Sequence, residues 1–331
     1  MDIKLAQHLN PNLFNHDVEV IPNRNGYGDG LKEAGEKDAR IVALSADLTA
    51  STKTNVFAEA FPKRFIQVGI AEQSMASVAS GMAAMGKIPF FASYAAFSPG
   101  RNWEQIRTTI AYNGANVKVI GAHAGVSVGP DGATHQALED IATMRLIPRM
   151  VVIVPCDYYE AKRATLAMAK YVGPVYMRLA RENSPVVTTA GSPFEIGKAE
   201  VFLRRNEAHG KKIGIISTGI ITYQALVAGK ILNERGIGAS VMHMATIKPL
   251  DEGAVRAFAD EHDVIVTVEE HQRAGGLGGV VAEYLSLTRP TRMLRLGVDD
   301  VFGQSGTPEE LFKCYGLDSD SIVKEVEGFL S

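Results

Sequence analysis

From residue 41 onward, short apolar runs bounded by glycine or proline alternate with stretches of helical periodicity. They are IVALS (41–45), RFIQVG (64–69), an Ala-rich helix over 71–86, IPFFAS (88–93), a helix near 101–112, VKVIGAH (117–123), a helix near 138–146, VVIVP (151–155), a helix near 157–171 and VYMRLA (175–180). Runs this short and this continuously apolar suit strands buried on both faces, the environment of a parallel sheet covered by helices. The pattern resumes with IGIIST (213–218), a helix over 221–236 ending at Gly236, ASVMHMA (239–245), a helix near 250–262, VIVTVEE (264–270), a helix near 279–287, MLRLGV (293–298) and a last helix over 321–329. Between the two series, NSPVVTTAGSPFEIGK (183–198) has no sustained periodicity and reads as a linker or connecting ribbon. The expected fold class is α/β, with two parallel-type sheets flanked by helices. One domain spans 1–182, a linker 183–198 and a second, smaller domain 199–331.

A chain of 331 residues is long enough for two buried cores. Its net charge of −3 provides no basic field for nucleic acid. The start, MDIKLAQHLNPNLF, lacks the apolar core of a signal peptide, and no run of about 18 apolar residues occurs. No membrane partner is expected, and the predicted location is cytoplasmic. Cys156 and Cys314 have no CxxC partner and read as two small buried hydrophobes in a reducing compartment.

Three stretches could carry chemistry. HAGVSVGPDGATHQ (123–136) holds His123, Asp131 and His135 on a lean, glycine-rich backbone. The spacing is not that of a metal site: there is neither an HExxH helix nor a cysteine partner. No GxSxG elbow supports a serine nucleophile. What remains is a loop whose glycines allow close approach to a small polyhydroxylated ligand, with imidazoles and a carboxylate to exchange protons. The second stretch, AEQSMASVASGMAAMG (71–86), carries a lone carboxylate, Glu72, which stabilises a helix N-terminus at the least and needs a hydrogen-bond partner if buried. The third, Gly28-Asp29-Gly30, looks like the start of the thiamine diphosphate motif. It lacks the following Asn pair and the preceding apolar strand, and is read instead as a polar helix start.

Taken together, SADLTAS (45–51), GIAEQSM (69–75), SYAAF (93–97), GPDGATHQ (129–136) and LARENSP (179–185) resemble the C-terminal part of a transketolase, in family order and at nearly family-like spacing. The resemblance covers nearly the whole chain from Arg24. It implies a pyrimidine-binding domain followed by a transketolase C-terminal-like domain, without the diphosphate-binding domain, as in the smaller subunit of a split transketolase. By that resemblance Glu72 hydrogen-bonds the aminopyrimidine nitrogen of thiamine diphosphate, Phe97 and Tyr94 stack on the ring, and Asp47 lies near the thiazolium and a subunit contact. His123, Asp131 and His135 surround the sugar's reacting carbons, with the two histidines as proton carriers. Arg24, Ser51 and Arg181 grip the substrate phosphate. SPGRNWEQ after Phe97 is one residue longer than the family pattern, so a third ring-contacting aromatic is not placed and Trp103 receives no role.

The resemblance further implies transfer of a two-carbon ketol unit from a ketose phosphate to an aldose phosphate, and a place in the pentose phosphate pathway. It implies magnesium, or calcium, held by an N-terminal partner subunit with the GDG and Asn motif, and an α2β2 assembly. EEHQRAGGLGG (269–279) looks like the architectural third domain. The rivals are a β-type subunit of a 2-oxoacid dehydrogenase, a deoxyxylulose phosphate synthase-like fragment, and a non-catalytic scaffold subunit.

Overall fold

The computed structural model describes residues 3–331 and contains two large sheets. The first has seven strands in the order Thr246–Lys248, Val151–Ile153, Val175–Arg178, Lys118–Ala122, Ile88–Tyr94, Ile41–Ser45 and Phe65–Gln67. All neighbours are parallel except the first pair. The apolar runs are buried as their composition requires: every residue of Ile41–Ser45 and of Lys118–Ala122 is buried. The second sheet has six strands, Lys4–Leu5, Glu200–Arg204, Gly238–His243, Lys212–Ser217, Val264–Gln272 and Arg292–Val298. Its first three strands pair antiparallel and the remaining pairs are parallel. Helices flank both sheets, and the α/β expectation of two parallel-type sheets holds.

The two halves trade strands. Lys4–Leu5, from the start of the chain, pairs with Glu200–Arg204 in the second sheet. Thr246–Lys248, from the far half, completes the edge of the first sheet. The 183–198 segment is also not free: Asn183–Pro185 pairs antiparallel with Val20–Pro22, and Thr188 bridges Leu9. One apolar cluster runs from Val42, Met75 and Val152 of the first half to Ile216, Met244 and Leu277 of the second. Burial across that junction makes the two halves a single packed unit by the area rule for apolar surface.

Gly28-Asp29-Gly30 is not a helix start. It lies inside a 15-residue helix, Asn23–Lys37, in which Gly26 and Gly30 line the contact with the Tyr158–Lys170 helix and Gly28 packs against Lys53 and Val56. A Cβ on Gly26 would fall 2.0 Å from the Tyr158 carbonyl oxygen, so only glycine allows the two backbones to approach. Asp29 accepts a hydrogen bond from the Tyr158 hydroxyl at 2.7 Å. The helix expected near 101–112 begins as Trp103–Gln105 and continues as a π-helix over Ile106–Ala111. Of the two cysteines read as buried, Cys156 is buried and Cys314 is exposed. Among the described residues, no helix is long and apolar enough to cross a membrane.

Candidate active site

In open parallel sheets, ligands bind outside the carboxyl ends of the strands, where loops leave the sheet and backbone groups are free. The candidate residues are carried there by successive strands of the seven-stranded sheet. Ile41–Ser45 leads to Asp47 and Ser51, Phe65–Gln67 to Glu72, Ile88–Tyr94 to Tyr94 and Phe97, Lys118–Ala122 to His123, and Val175–Arg178 to Arg181.

Four rings meet at this end. Tyr94 stacks on His123 with centroids 3.9 Å apart and on Phe97 at 5.9 Å, while His135 meets Tyr94 and Phe97 edge-on at 6.1 and 5.5 Å. His123 follows directly on a buried strand and takes a left-handed φ of 53°, a conformation that costs a non-glycine residue about 1–3 kcal/mol and is found preferentially at functional sites. Its Nε2 lies 3.5 Å from Nη1 of Arg24, which also donates to the Ser51 carbonyl at 2.7 Å. Burial, then the Arg24, Arg181 and His135 charges, push the His123 imidazole down to about 3. His123 Nδ1 and Arg24 Nε are buried and have no protein partner. Buried donors and acceptors of this kind are costly unless something polar meets them, so the pocket fits a polar ligand.

Glu72 is the first residue of the Glu72–Ala84 helix and is 4% exposed. Its Oε2 lies 3.5 Å from Nη1 of Arg101, whose guanidinium rests 4.5 Å over the Phe97 ring. Asn102 donates to the Glu72 carbonyl at 3.0 Å and to Ser98 at 3.1 Å, tying the segment after Phe97 to the start of that helix. A buried carboxylate beside flat aromatic faces fits the polar edge and the two faces of a heteroaromatic ring. Arg181 pairs with Asp131 at 3.2 Å, donates to the Val128 carbonyl at 2.9 Å and pairs with Glu182 at 3.2 Å. His135 Nδ1 is 2.8 Å from the Thr134 hydroxyl.

Seven of the ten candidate residues are linked by contacts, Glu72 through Arg101 to Phe97, then Tyr94, His135, His123, Arg24 and Ser51, while Arg181 and Asp131 form a pair whose guanidinium charge acts on His123. The tenth, Asp47, stands apart on an exposed left-handed turn, φ 61°, held through its backbone N–H to Gln67. Trp103 turns away and donates its indole N–H to the Thr143 carbonyl at 3.1 Å.

The 123–136 loop is braced from both halves by residues to which the sequence assigned no role. Glu270 accepts the Ser127 N–H at 2.5 Å, and a Cβ on Gly125 would fall 2.1 Å from its carboxylate, which together with φ 91° requires glycine there. Arg178 ties the same region together, donating to the Ala137 and Glu270 carbonyls and to the Asp140 carboxylate. Gln136 donates to the carbonyls of Val126, Gly129 and Gln304.

The order of the two halves matches that of a known family. The family model described as the transketolase pyrimidine binding domain matches residues 19–186, and that of the transketolase C-terminal domain matches 203–322. A protein described as a transketolase C-terminal section, from Methanocaldococcus jannaschii, is 47% identical over 92% of this chain and 94% of its own length. The chain belongs to the transketolase family. Another member, the 6-deoxy-6-sulfo-D-fructose transketolase subunit of Clostridium sp. (strain MSTE9), is 40% identical over 91% of this chain and 92% of its own length. A solved structure of a split-gene transketolase, described as an inactive β4 tetramer, superposes with a TM-score of 0.85 at 43% identity, covering 93% of this chain and 98% of that one. The rivals, a 2-oxoacid dehydrogenase subunit, a deoxyxylulose phosphate synthase-like fragment and a bare scaffold, are not favoured by these likenesses.

Proposed function

We propose that the chain is the pyrimidine-binding subunit of a split, thiamine diphosphate-dependent transketolase that moves a two-carbon ketol unit between sugar phosphates. The observation that carries this reading is a buried acid, Glu72, linked through Arg101 to the Tyr94–Phe97 ring pair, which in turn contacts two histidines. When bound, the cofactor supplies the carbon centre that accepts the electron pair of the broken carbon–carbon bond. This chain's residues do the rest. Phe97 and Tyr94 would stack against the aminopyrimidine. Glu72 donates a hydrogen bond to its ring nitrogen and holds a proton there.

At the substrate end, His123 and His135 hold and pass protons at the sugar's hydroxyl and carbonyl oxygens. Asp131 reads a hydroxyl. Arg24 and Arg181 present guanidinium forks to the terminal phosphate, aided by Ser51. Asp47 faces the thiazolium side and a subunit contact. The Arg181–Asp131 ion pair supports a phosphate grip next to a hydroxyl reader.

Magnesium, or calcium, and the diphosphate belong to an N-terminal partner subunit. Gly28-Asp29-Gly30 is committed to helix packing, so this chain's own GDG does not fit a diphosphate-bound metal. The working assembly is an α2β2 heterotetramer. The domain division at 1–182, 183–198 and 199–331 goes with this reading, as does a cytoplasmic location. A relative named for a sulfo-sugar makes the terminal anion the variable part of the substrate. Mixing the chain with such a partner, magnesium and thiamine diphosphate tests the proposal: ketol transfer is expected from the mixture and not from this chain alone.

A further inference from the structure

Between the two halves lies a cavity of about 310 Å³, lined among others by Glu160, Phe194, Lys198, Glu200, Phe202 and His243. Behind the lining residues Glu160 and His243 lies Cys156: its sulfur, a Glu160 carboxylate oxygen and a His243 ring nitrogen all lie within 4.8 Å of one another, and Cys156, Glu160 and His243 are 1, 4 and 2% exposed. The Glu160 carboxylate takes the Cys156 N–H at 2.7 Å and meets His243 Nε2 at 2.8 Å. A second buried carboxylate, Asp157, lies three residues before it and accepts from the backbone of Val187 and Thr188. Among the described residues no lysine or arginine pairs with Glu160. Arg163 is turned to the Thr189 carbonyl and Thr188 hydroxyl, and Lys198 is exposed. Glu160 is thus a buried carboxylate whose hydrogen-bond partners are one imidazole and one backbone N–H, an arrangement that an added cation would complement.

We propose that Cys156, Glu160 and His243 form a site for a borderline transition-metal ion of the Zn²⁺ or Co²⁺ class, with the cavity leaving a further position to water. A sulfur, an oxygen and a nitrogen donor suit such an ion, and would not suit magnesium, which demands oxygen. The outer shell is already built. His243 Nδ1 lies 2.9 Å from the Thr222 hydroxyl, which itself accepts from Ser217 at 3.1 Å, and Phe202 stacks on the imidazole at 5.0 Å. Without the ion, Nε2–H faces the Glu160 carboxylate; on binding, the imidazole proton moves to Nδ1, where the Thr222 hydroxyl accepts it, and Nε2 offers its lone pair to the ion. The Cys156 thiol loses its proton to solvent as the metal–sulfur bond forms, so binding releases at least that proton.

The test is a titration of the reduced, metal-free full chain with Co²⁺. The site predicts one equivalent bound, a thiolate-to-cobalt charge-transfer band and proton release. Cys156→Ser should abolish the band, whereas Cys314→Ser, at an exposed position, should keep it. Thr222→Val should weaken binding by about 10- to 100-fold, the usual loss for an outer-shell partner of a ligating histidine. Absence of the band from the unaltered chain at excess Co²⁺, or a band that survives Cys156→Ser, would overturn the proposal and leave a hydrogen-bonded Cys–Glu–His network only.

Discussion

Arg24 Nη1 stands 3.5 Å from Nε2 of His123. A guanidinium has no lone pair to offer, so Nε2 must be the acceptor and the imidazole proton sits on Nδ1. Burial and this charge together hold His123 neutral down to about pH 3. An acid limb in kcat/KM between about pH 5 and 8, the range of an ordinary imidazole, therefore has another source. His123→Asn should lower kcat by about 100-fold or more while leaving the shape of the pH profile unchanged. Disappearance of the acid limb in that variant would show that His123 titrates in the working range.

Arg181 and Arg24 should act on one end of the substrate. Arg181→Gln removes a charged fork worth about 1.5–3 kcal/mol to a bound anion, which is roughly a 10- to 100-fold rise in KM for phosphorylated acceptors at 25 °C. A non-phosphorylated aldehyde of the same chain length should show little change. Equal losses for both acceptors would mean that the side chain supports the loop through Asp131 and Val128 and does not read the phosphate.

His271 makes stability depend on acid. Its Nδ1 contacts the Gln272 carbonyl at 2.7 Å and its Nε2 accepts the Ala142 N–H at 3.3 Å, so the neutral ring is satisfied on both sides. Burial pushes it down to about 4. Between that value and the unfolded value near 6.5, the unfolded chain binds a proton that the folded chain refuses. The stabilisation is complete above about pH 6.5 and is lost as pH falls toward 4. Urea midpoints measured across this range should fall with pH, and His271→Gln should flatten the slope. An unchanged slope would assign the acid sensitivity to other groups.

The contact of the Asn23–Lys37 and Tyr158–Lys170 helices should be intolerant of even one methyl group. Gly26→Ala places a carbon 2.0 Å from the Tyr158 carbonyl oxygen, and overpacking of this kind costs about 1–3 kcal/mol. Denaturant unfolding reads the loss. Asp29→Asn, by contrast, should not change the magnesium requirement of the assembled enzyme. A raised requirement would return Gly28-Asp29-Gly30 to the metal.

How much was legible in the sequence follows from which signals are local. IVALS and VKVIGAH announce buried strands because burial on both faces demands unbroken apolar runs, and both are strands. The sequence predicts the start of the Asn23–Lys37 helix only at Gly28-Asp29-Gly30 because its glycines lower helix propensity; the close approach that Gly26 allows is to Tyr158, 132 positions away, and has no local mark. Lys4–Leu5 is likewise a strand only by virtue of Leu203 and Arg204. Of the site, Glu72, His123 and His135 were visible as unusual polar residues in lean surroundings. Arg101, Glu270 and Arg178 were not, since each matters through a partner remote in sequence: Arg101 through Glu72, Glu270 through Ser127, Arg178 through Asp140 and the Glu270 carbonyl.

The most direct measurement is single-turnover and steady-state ketol transfer by Glu72→Gln, assembled with the partner subunit, magnesium and thiamine diphosphate. Glutamine keeps the size of the side chain and cannot supply the acid proton. A fall in kcat by about 10²- to 10⁴-fold, with unchanged thermal unfolding and intact assembly, is the predicted result. Full turnover by that variant would contradict the account.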